Sequence, residues 1–114
     1  MAKSPITTHV LDTALGRPAE GIHITCEKLG DDGFSELASG VTDADGRITD
    51  LLTPGSLESG VYRMTFHVGA YQRGRGTKGF YPEVPVVFEI GATDEHYHVP
   101  LLLNPFGYST YRGS

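Results

Sequence analysis

Histidine is the residue type around which chemistry would be built in this chain. Three histidines, His9, His96 and His98, fall where strand-like runs begin or end. His96 and His98 are two apart, and on a strand that spacing turns both rings to one face. Such a pair is half of a metal site. No Cys or carboxylate stands beside it at the spacing of a zinc centre, so no metal is expected. Taken singly, each histidine reads as a solvated or hydrogen-bonded side chain.

The other candidate motifs are weaker. Gly74-Arg75-Gly76-Thr77-Lys78-Gly79 spells G-x-G-x-x-G. Pro82 and Pro85 follow too soon for a helix, and without a helix N-terminus a pyrophosphate has nothing to bind. Asp43-Ala44-Asp45-Gly46 has the look of a calcium loop but lacks the remaining ligands and the closing bidentate Glu. It reads as a turn, with Arg47 immediately after it. Cys26 is the single cysteine. It is in phase with Ile22 and Ile24, on the apolar face of a strand, and reads as a small buried hydrophobe.

The elements that position these residues are short and β-type. Ile6 to Asp12 opens the series, and Ile22 to Leu29 follows Gly16-Arg17-Pro18. Gly30-Asp31-Asp32-Gly33 is a hairpin signal, with Phe34 to Val41 as the return strand. Val61 to Val68 alternates cleanly, placing Tyr62, Met64 and Phe66 on one face. Pro85 to Ile90 is apolar, and His96 to Asn104 pairs with Gly107 to Arg112 through Asn104-Pro105-Phe106-Gly107. Roughly seven or eight strands so closely spaced argue for an all-β sandwich. Gly69 to Gly79 has no periodicity, and its glycines disfavour a helix by about 1 kcal/mol each.

Composition sets the outer bounds. The 114 residues are 39% apolar and 20% charged, ordinary for one globular domain spanning 1–114. A domain of this size buries about two-thirds of its unfolded surface. Lys and Arg number 9 against 14 Asp and Glu, a net charge of −5 without a basic stripe. Such a chain repels phosphate backbones, so nucleic acid is not an expected partner. No apolar run approaches the ~20 residues of a membrane span, and the N-terminus has no signal-peptide pattern. A soluble, cytoplasmic protein is the expectation, with no membrane partner.

Three motifs carry this reading further. Tyr97-His98-Val99-Pro100-Leu101-Leu102-Leu103 runs on to Gly107-Tyr108-Ser109-Thr110-Tyr111-Arg112-Gly113-Ser114. It resembles the C-terminal signature of the 5-hydroxyisourate hydrolases, a transthyretin-related family whose chains typically end in Tyr-Arg-Gly-Ser. Thr8-His9-Val10-Leu11-Asp12, followed by Gly16-Arg17-Pro18-Ala19, resembles the family's N-terminal signature. Thr42-Asp43-Ala44-Asp45-Gly46-Arg47 is similar to its central motif. The likeness spans about Thr7 to Ser114, with the motifs in the family's order. Asn104 and Phe106 depart from the pattern, which has Ser and Tyr there.

The resemblance implies a transthyretin-like sandwich of two four-stranded sheets, with one short helix in or near Gly69 to Gly79. It implies a homotetramer, a dimer of dimers, with active sites in the channel where the dimers meet, and no metal or organic cofactor. The implied reaction is hydrolysis of 5-hydroxyisourate to 2-oxo-4-hydroxy-4-carboxy-5-ureidoimidazoline. Matched by motif, the catalytic positions are His9, Arg47 and His98, and the substrate-binding positions are His9, Arg47, Tyr111, Arg112 and Ser114. Such chemistry needs a base for water and positive charge near a developing oxyanion. His98 suits the base, with His9 orienting the water, because a histidine is largely neutral at pH 7. Arg47 offers a planar fork of donors. Tyr111 donates a hydrogen bond and packs on the ring, while Arg112 and Ser114 fix the tail or touch substrate. A small-molecule carrier is the competing class, but the resemblance implies that carriers lack this set.

Overall fold

The computed structural model describes residues 4–114. Its strands are β1 (Ile6–Asp12), β2 (Arg17–Pro18), β3 (His23–Gly30), β4 (Gly33–Val41), β5 (Arg47–Ile48), β6 (Gly60–Phe66), β7 (Val84–Ile90), β8 (Tyr97–Asn104) and β9 (Gly107–Thr110). One helix, α1 (Val68–Gly74), stands between β6 and β7. The hairpin expected at Gly30 to Gly33 joins β3 to β4. β9 ends at Thr110, two residues short of the expected strand end.

The strands form two sheets. One runs β4-β3-β6-β7, and the other runs β2-β1-β8-β9 with β5 added against β1. The second sheet therefore has five strands where four were expected. The fifth is β5, two residues that follow the Asp43 to Gly46 turn and pair with Thr8 and His9. β1 and β8 are parallel neighbours despite lying at opposite ends of the sequence.

Side-chain alternation makes the core. Ile24 and Cys26 of β3 and Tyr62, Met64 and Phe66 of β6 are buried on the inner face of the first sheet. Ile6 and Val10 of β1 and Val99, Leu101 and Leu103 of β8 face them from the second. Each fully buried large apolar side chain contributes about 1.5–3 kcal/mol relative to exposure. Cys26 is a core residue, and its thiol is pushed up to about 12, first by burial and then by Glu27. A thiol so placed is no nucleophile.

The helix corrects the propensity reading of Gly69 to Gly79. Val68, Tyr71 and Gln72 are buried on its inner side, and the Tyr71 hydroxyl donates to Asp12 Oδ2 at 2.8 Å. Tertiary burial of this kind outweighs a weak local preference. The Gly-rich half of the segment, from Arg75 onward, lies beyond the helix, so the G-x-G-x-x-G motif starts on the last helical residue, Gly74, and leads toward β7. Among the described residues no helix is long and apolar enough to cross a membrane.

Candidate active site

The pleat of β1 sorts its residues into two sets. Ile6, Thr8, Val10 and Asp12 point to the core, so Thr7, His9 and Leu11 lie on the opposite face of the sheet. Pairing extends that face sideways. Arg47 of β5 stands opposite His9 on one side, and Pro100 of β8 stands opposite it on the other. Thr7 stands opposite His98, and His98 in turn bridges Gly113 of the tail. His9, Arg47 and His98 therefore share one outward face. The row of Thr7 and His98 is displaced from the row of Arg47 and His9 by two residues, about 7 Å along the strand.

The turn before β5 is what delivers Arg47. Asp43 Oδ1 accepts from the backbone N–H groups of Asp45 (2.9 Å) and Arg47 (3.0 Å), and Gly46 N–H donates to Asp43 O at 2.8 Å. Gly46 has φ 73°, and a Cβ there would lie 2.5 Å from Val10 O. Glycine is required at that point, because any side chain would push the turn off β1 and carry Arg47 away from His9.

His9 is half-buried and its pKa is lowered below the ordinary 6.5. Burial is the main cause, and the Arg47 guanidinium adds to it. A hydrogen bond to the Asp45 backbone and the Asp45 and Asp43 carboxylates oppose the shift. The net result is a neutral imidazole beside a fixed cation, which is the protonation state a base or a water-orienting group needs.

His98 is held from two directions. Thr7 Oγ1 lies 2.9 Å from its Nδ1, and Gly113 N–H donates to its backbone carbonyl at 2.8 Å. The same Thr7 oxygen lies 2.9 Å from His96 Nε2. The face shared by His96 and His98 is thus organised around a hydroxyl. Among the described residues no three His, Cys, Asp or Glu side chains gather as a metal site.

The tail runs back beside the start of β8, where Gly113 bridges His98. Arg112 donates to Glu95 Oε1 at 3.0 Å and lies over the Tyr97 ring at 4.4 Å. Its guanidinium therefore ties the tail down. Tyr111 is exposed, and with His98 and Arg112 it borders a cavity of about 320 Å³ whose far wall is β7, including Val86 and Phe88. His9 and Arg47 do not line this cavity. They sit on the open sheet face, and His98 belongs to both places. Ser114 is exposed at the end of the tail.

One residue of this face, Thr7, is not singled out by the motifs, although its phase with His9 is a signal. Gly113 lies in the Tyr111 to Ser114 stretch that the resemblance implies for the site, and a Cβ on it would lie 2.6 Å from His98 Cδ2.

The profile of the HIUase/Transthyretin family matches residues 6–113. The chain belongs to this family. Among its relatives, 5-hydroxyisourate hydrolase 2 of Rhizobium meliloti is 48% identical over 120 residues and covers both chains fully. The structure of Klebsiella pneumoniae 5-hydroxyisourate hydrolase superposes with a TM-score of 0.84 at 38% identity, covering 96% of this chain and 98% of that one. Sea bream transthyretin, solved in complex with thyroxine, superposes with a TM-score of 0.92 at 35% identity, covering 96% and 95%. One backbone thus serves both a protein named 5-hydroxyisourate hydrolase and a transthyretin solved in complex with thyroxine, so function lies in the side chains it carries.

Proposed function

We propose that this family member hydrolyses 5-hydroxyisourate to 2-oxo-4-hydroxy-4-carboxy-5-ureidoimidazoline, as a soluble cytoplasmic homotetramer. The observation that carries this reading is the strand register that sets Arg47, His9 and His98 on one outward face. A single chain leaves that face open to solvent. A second copy laid against it would enclose a polar channel, in keeping with a dimer of dimers.

In the proposed mechanism, water attacks an electrophilic ring carbonyl and His98 removes its proton. With His98 Nδ1 engaged by Thr7, the proton is taken at Nε2. His9, kept neutral by burial and by Arg47, orients the water. Arg47 holds the carbonyl-rich ring through its planar fork and offsets negative charge on the oxyanion. Collapse of the tetrahedral species breaks the ring C–N bond, and the proton goes to the departing nitrogen. Tyr111 and the tail that Arg112 fastens close the site from the β9 side, with Ser114 at its margin. No covalent intermediate with the protein arises, because the nucleophile is water.

The carrier reading draws on the likeness to thyroxine-bound sea bream transthyretin. The direct comparison is to generate 5-hydroxyisourate from urate and follow its ultraviolet decay with catalytic amounts of this protein, alongside a thyroxine titration. Accelerated decay is the expected result. Decay at the spontaneous rate, together with saturable thyroxine binding, would overturn the hydrolase reading in favour of the carrier.

A further inference from the structure

His96, Thr7 and His98 form a continuous chain of hydrogen-bonding atoms. One hydroxyl oxygen lies 2.9 Å from a ring nitrogen on each side. Thr7 is nearly buried, at 7% exposure, while His96 is exposed. The chain therefore runs from the candidate base, through a buried hydroxyl, to a titratable group in contact with solvent. The sequence explains how it is assembled. His96 and His98 are two apart across the start of β8, and Tyr97 between them points into the core. Parallel pairing then puts Thr7 opposite His98.

A hydroxyl has one proton to give, and this constrains the tautomers. With a base that accepts at Nε2, His98 carries its resting proton on Nδ1 and donates it to Thr7 Oγ1. Thr7 donates its own proton to His96 Nε2, so His96 rests with its proton on Nδ1. We infer that this chain fixes the reactive tautomer of His98 and passes the charge of the abstracted proton to His96 until a proton is returned to the departing nitrogen. The inference rests on the role proposed for His98 above.

The proton balance closes without any further reagent. When His98 Nε2 takes a proton from water, the ring becomes an imidazolium. Its Nδ1 proton passes to Thr7 Oγ1 as the Thr7 hydroxyl proton passes to His96 Nε2. His98 is then neutral, Thr7 is again a hydroxyl and His96 carries the charge. As the ring C–N bond breaks the transfers run in reverse: His96 Nε2 returns its proton to Thr7 Oγ1, the Thr7 hydroxyl proton passes back to His98 Nδ1, and His98 Nε2 protonates the departing nitrogen, which restores all three groups. Thr7 and His96 touch no reacting atom, so they are positioning residues that act through His98. The charged neighbours are Glu95 and Arg112, which pair with one another beside His96.

Three variants and two readouts test this. Thr7→Val keeps the volume and removes the hydroxyl, Thr7→Ser keeps the hydroxyl, and His96→Gln keeps a hydrogen-bond acceptor that cannot carry the proton. Nitrogen-15 NMR of the histidine rings reads the His98 tautomer without reference to activity. The expected result is an Nδ1–H tautomer at His98 in the parent and in Thr7→Ser, lost in Thr7→Val. Turnover should fall on the order of 10-fold in Thr7→Val, a fraction of the effect of a positioned base, and recover in Thr7→Ser. His96→Gln should lose a similar factor at every buffer concentration, because its amide cannot hold the proton. An unchanged His98 tautomer in Thr7→Val, or parental turnover in both Thr7→Val and His96→Gln, would overturn the relay while leaving the hydrolase reading intact. A parent protein that hydrolysed nothing would sink the functional reading instead, and the nitrogen spectra would still decide the tautomer.

Discussion

Gly113 touches the imidazole of His98 so closely that only a hydrogen fits between them. A Cβ on Gly113 would lie 2.6 Å from His98 Cδ2 and 3.4 Å from Pro100 Cδ. The backbone of Gly113 also bonds to the carbonyl of His98. The tail and the candidate base therefore form one packed unit, in which glycine is required for space.

That contact predicts the effect of one methyl group. Gly113→Ala must move the His98 ring or break the bridge from the tail. Because Gly113 lies outside the core, the melting temperature should change by less than about 5 °C, the equivalent of roughly 1 kcal/mol. Turnover should fall at least about 10-fold, since small misplacements of a reacting group are costly. Steady-state kinetics with calorimetry on the same preparation checks both, and unchanged kinetics would mean that His98 needs no such positioning.

The second prediction concerns charge. Burial and Arg47 together hold the His9 pKa below 6.5. Removing the guanidinium in Arg47→Gln should raise it, with burial, the larger cause of the lowering, left in place. Arg47→Lys keeps a positive charge, so His9 should stay lowered while hydrolysis suffers from loss of the bidentate fork. Proton NMR titration of the His9 ring in the three proteins reads the first effect. A midpoint in Arg47→Gln equal to or below the parent's would contradict the pairing of these two residues.

Much of this arrangement was legible in the sequence. β1, the β3–β4 hairpin and the alternating face of β6 follow from period-two hydrophobicity and turn chemistry, which are local signals. The helix was not legible from propensity, because its stability comes from burying Tyr71 against Asp12, 59 residues away in sequence. The site was divided in the same way. His9, Arg47 and His98 were identified by motif, but nothing local revealed that β1 and β8 are parallel partners. Without that register Thr7 is an unremarked strand residue, and with it Thr7 is the atom joining His96 to His98.

A third prediction tests the packing of the helix. Tyr71 is buried, and its hydroxyl is raised to about 12, by burial first and then by its hydrogen bond to Asp12. Tyr71→Phe removes a bond to a carboxylate, a loss of about 2 kcal/mol. Urea unfolding should show that loss at an unchanged m-value, with hydrolysis at saturating substrate close to the parent's. A variant as stable as the parent would show that the helix does not depend on this bond.

The tail supplies a fourth. No residue from Tyr111 to Ser114 is part of the buried core. Deleting these four residues should leave the fold and assembly size intact, as read by circular dichroism and light scattering, and remove most of the activity. If the truncated protein lost its assembly in proportion to its activity, the tail would be an interface seal. A truncated protein of normal size and normal turnover would remove Tyr111, Arg112 and Ser114 from the site.

The central claim is that His98 acts as the base on a face built by His9 and Arg47. His98→Asn keeps a polar side chain near Thr7 and Gly113 but takes away the proton acceptor. The decisive measurement is single-turnover decay of 5-hydroxyisourate, followed in the ultraviolet, for the parent and His98→Asn at equal concentration. The account predicts rapid decay with the parent and a loss of at least about 100-fold in the variant, the lower range for removal of a general base. Decay at the parental rate with His98→Asn would contradict it.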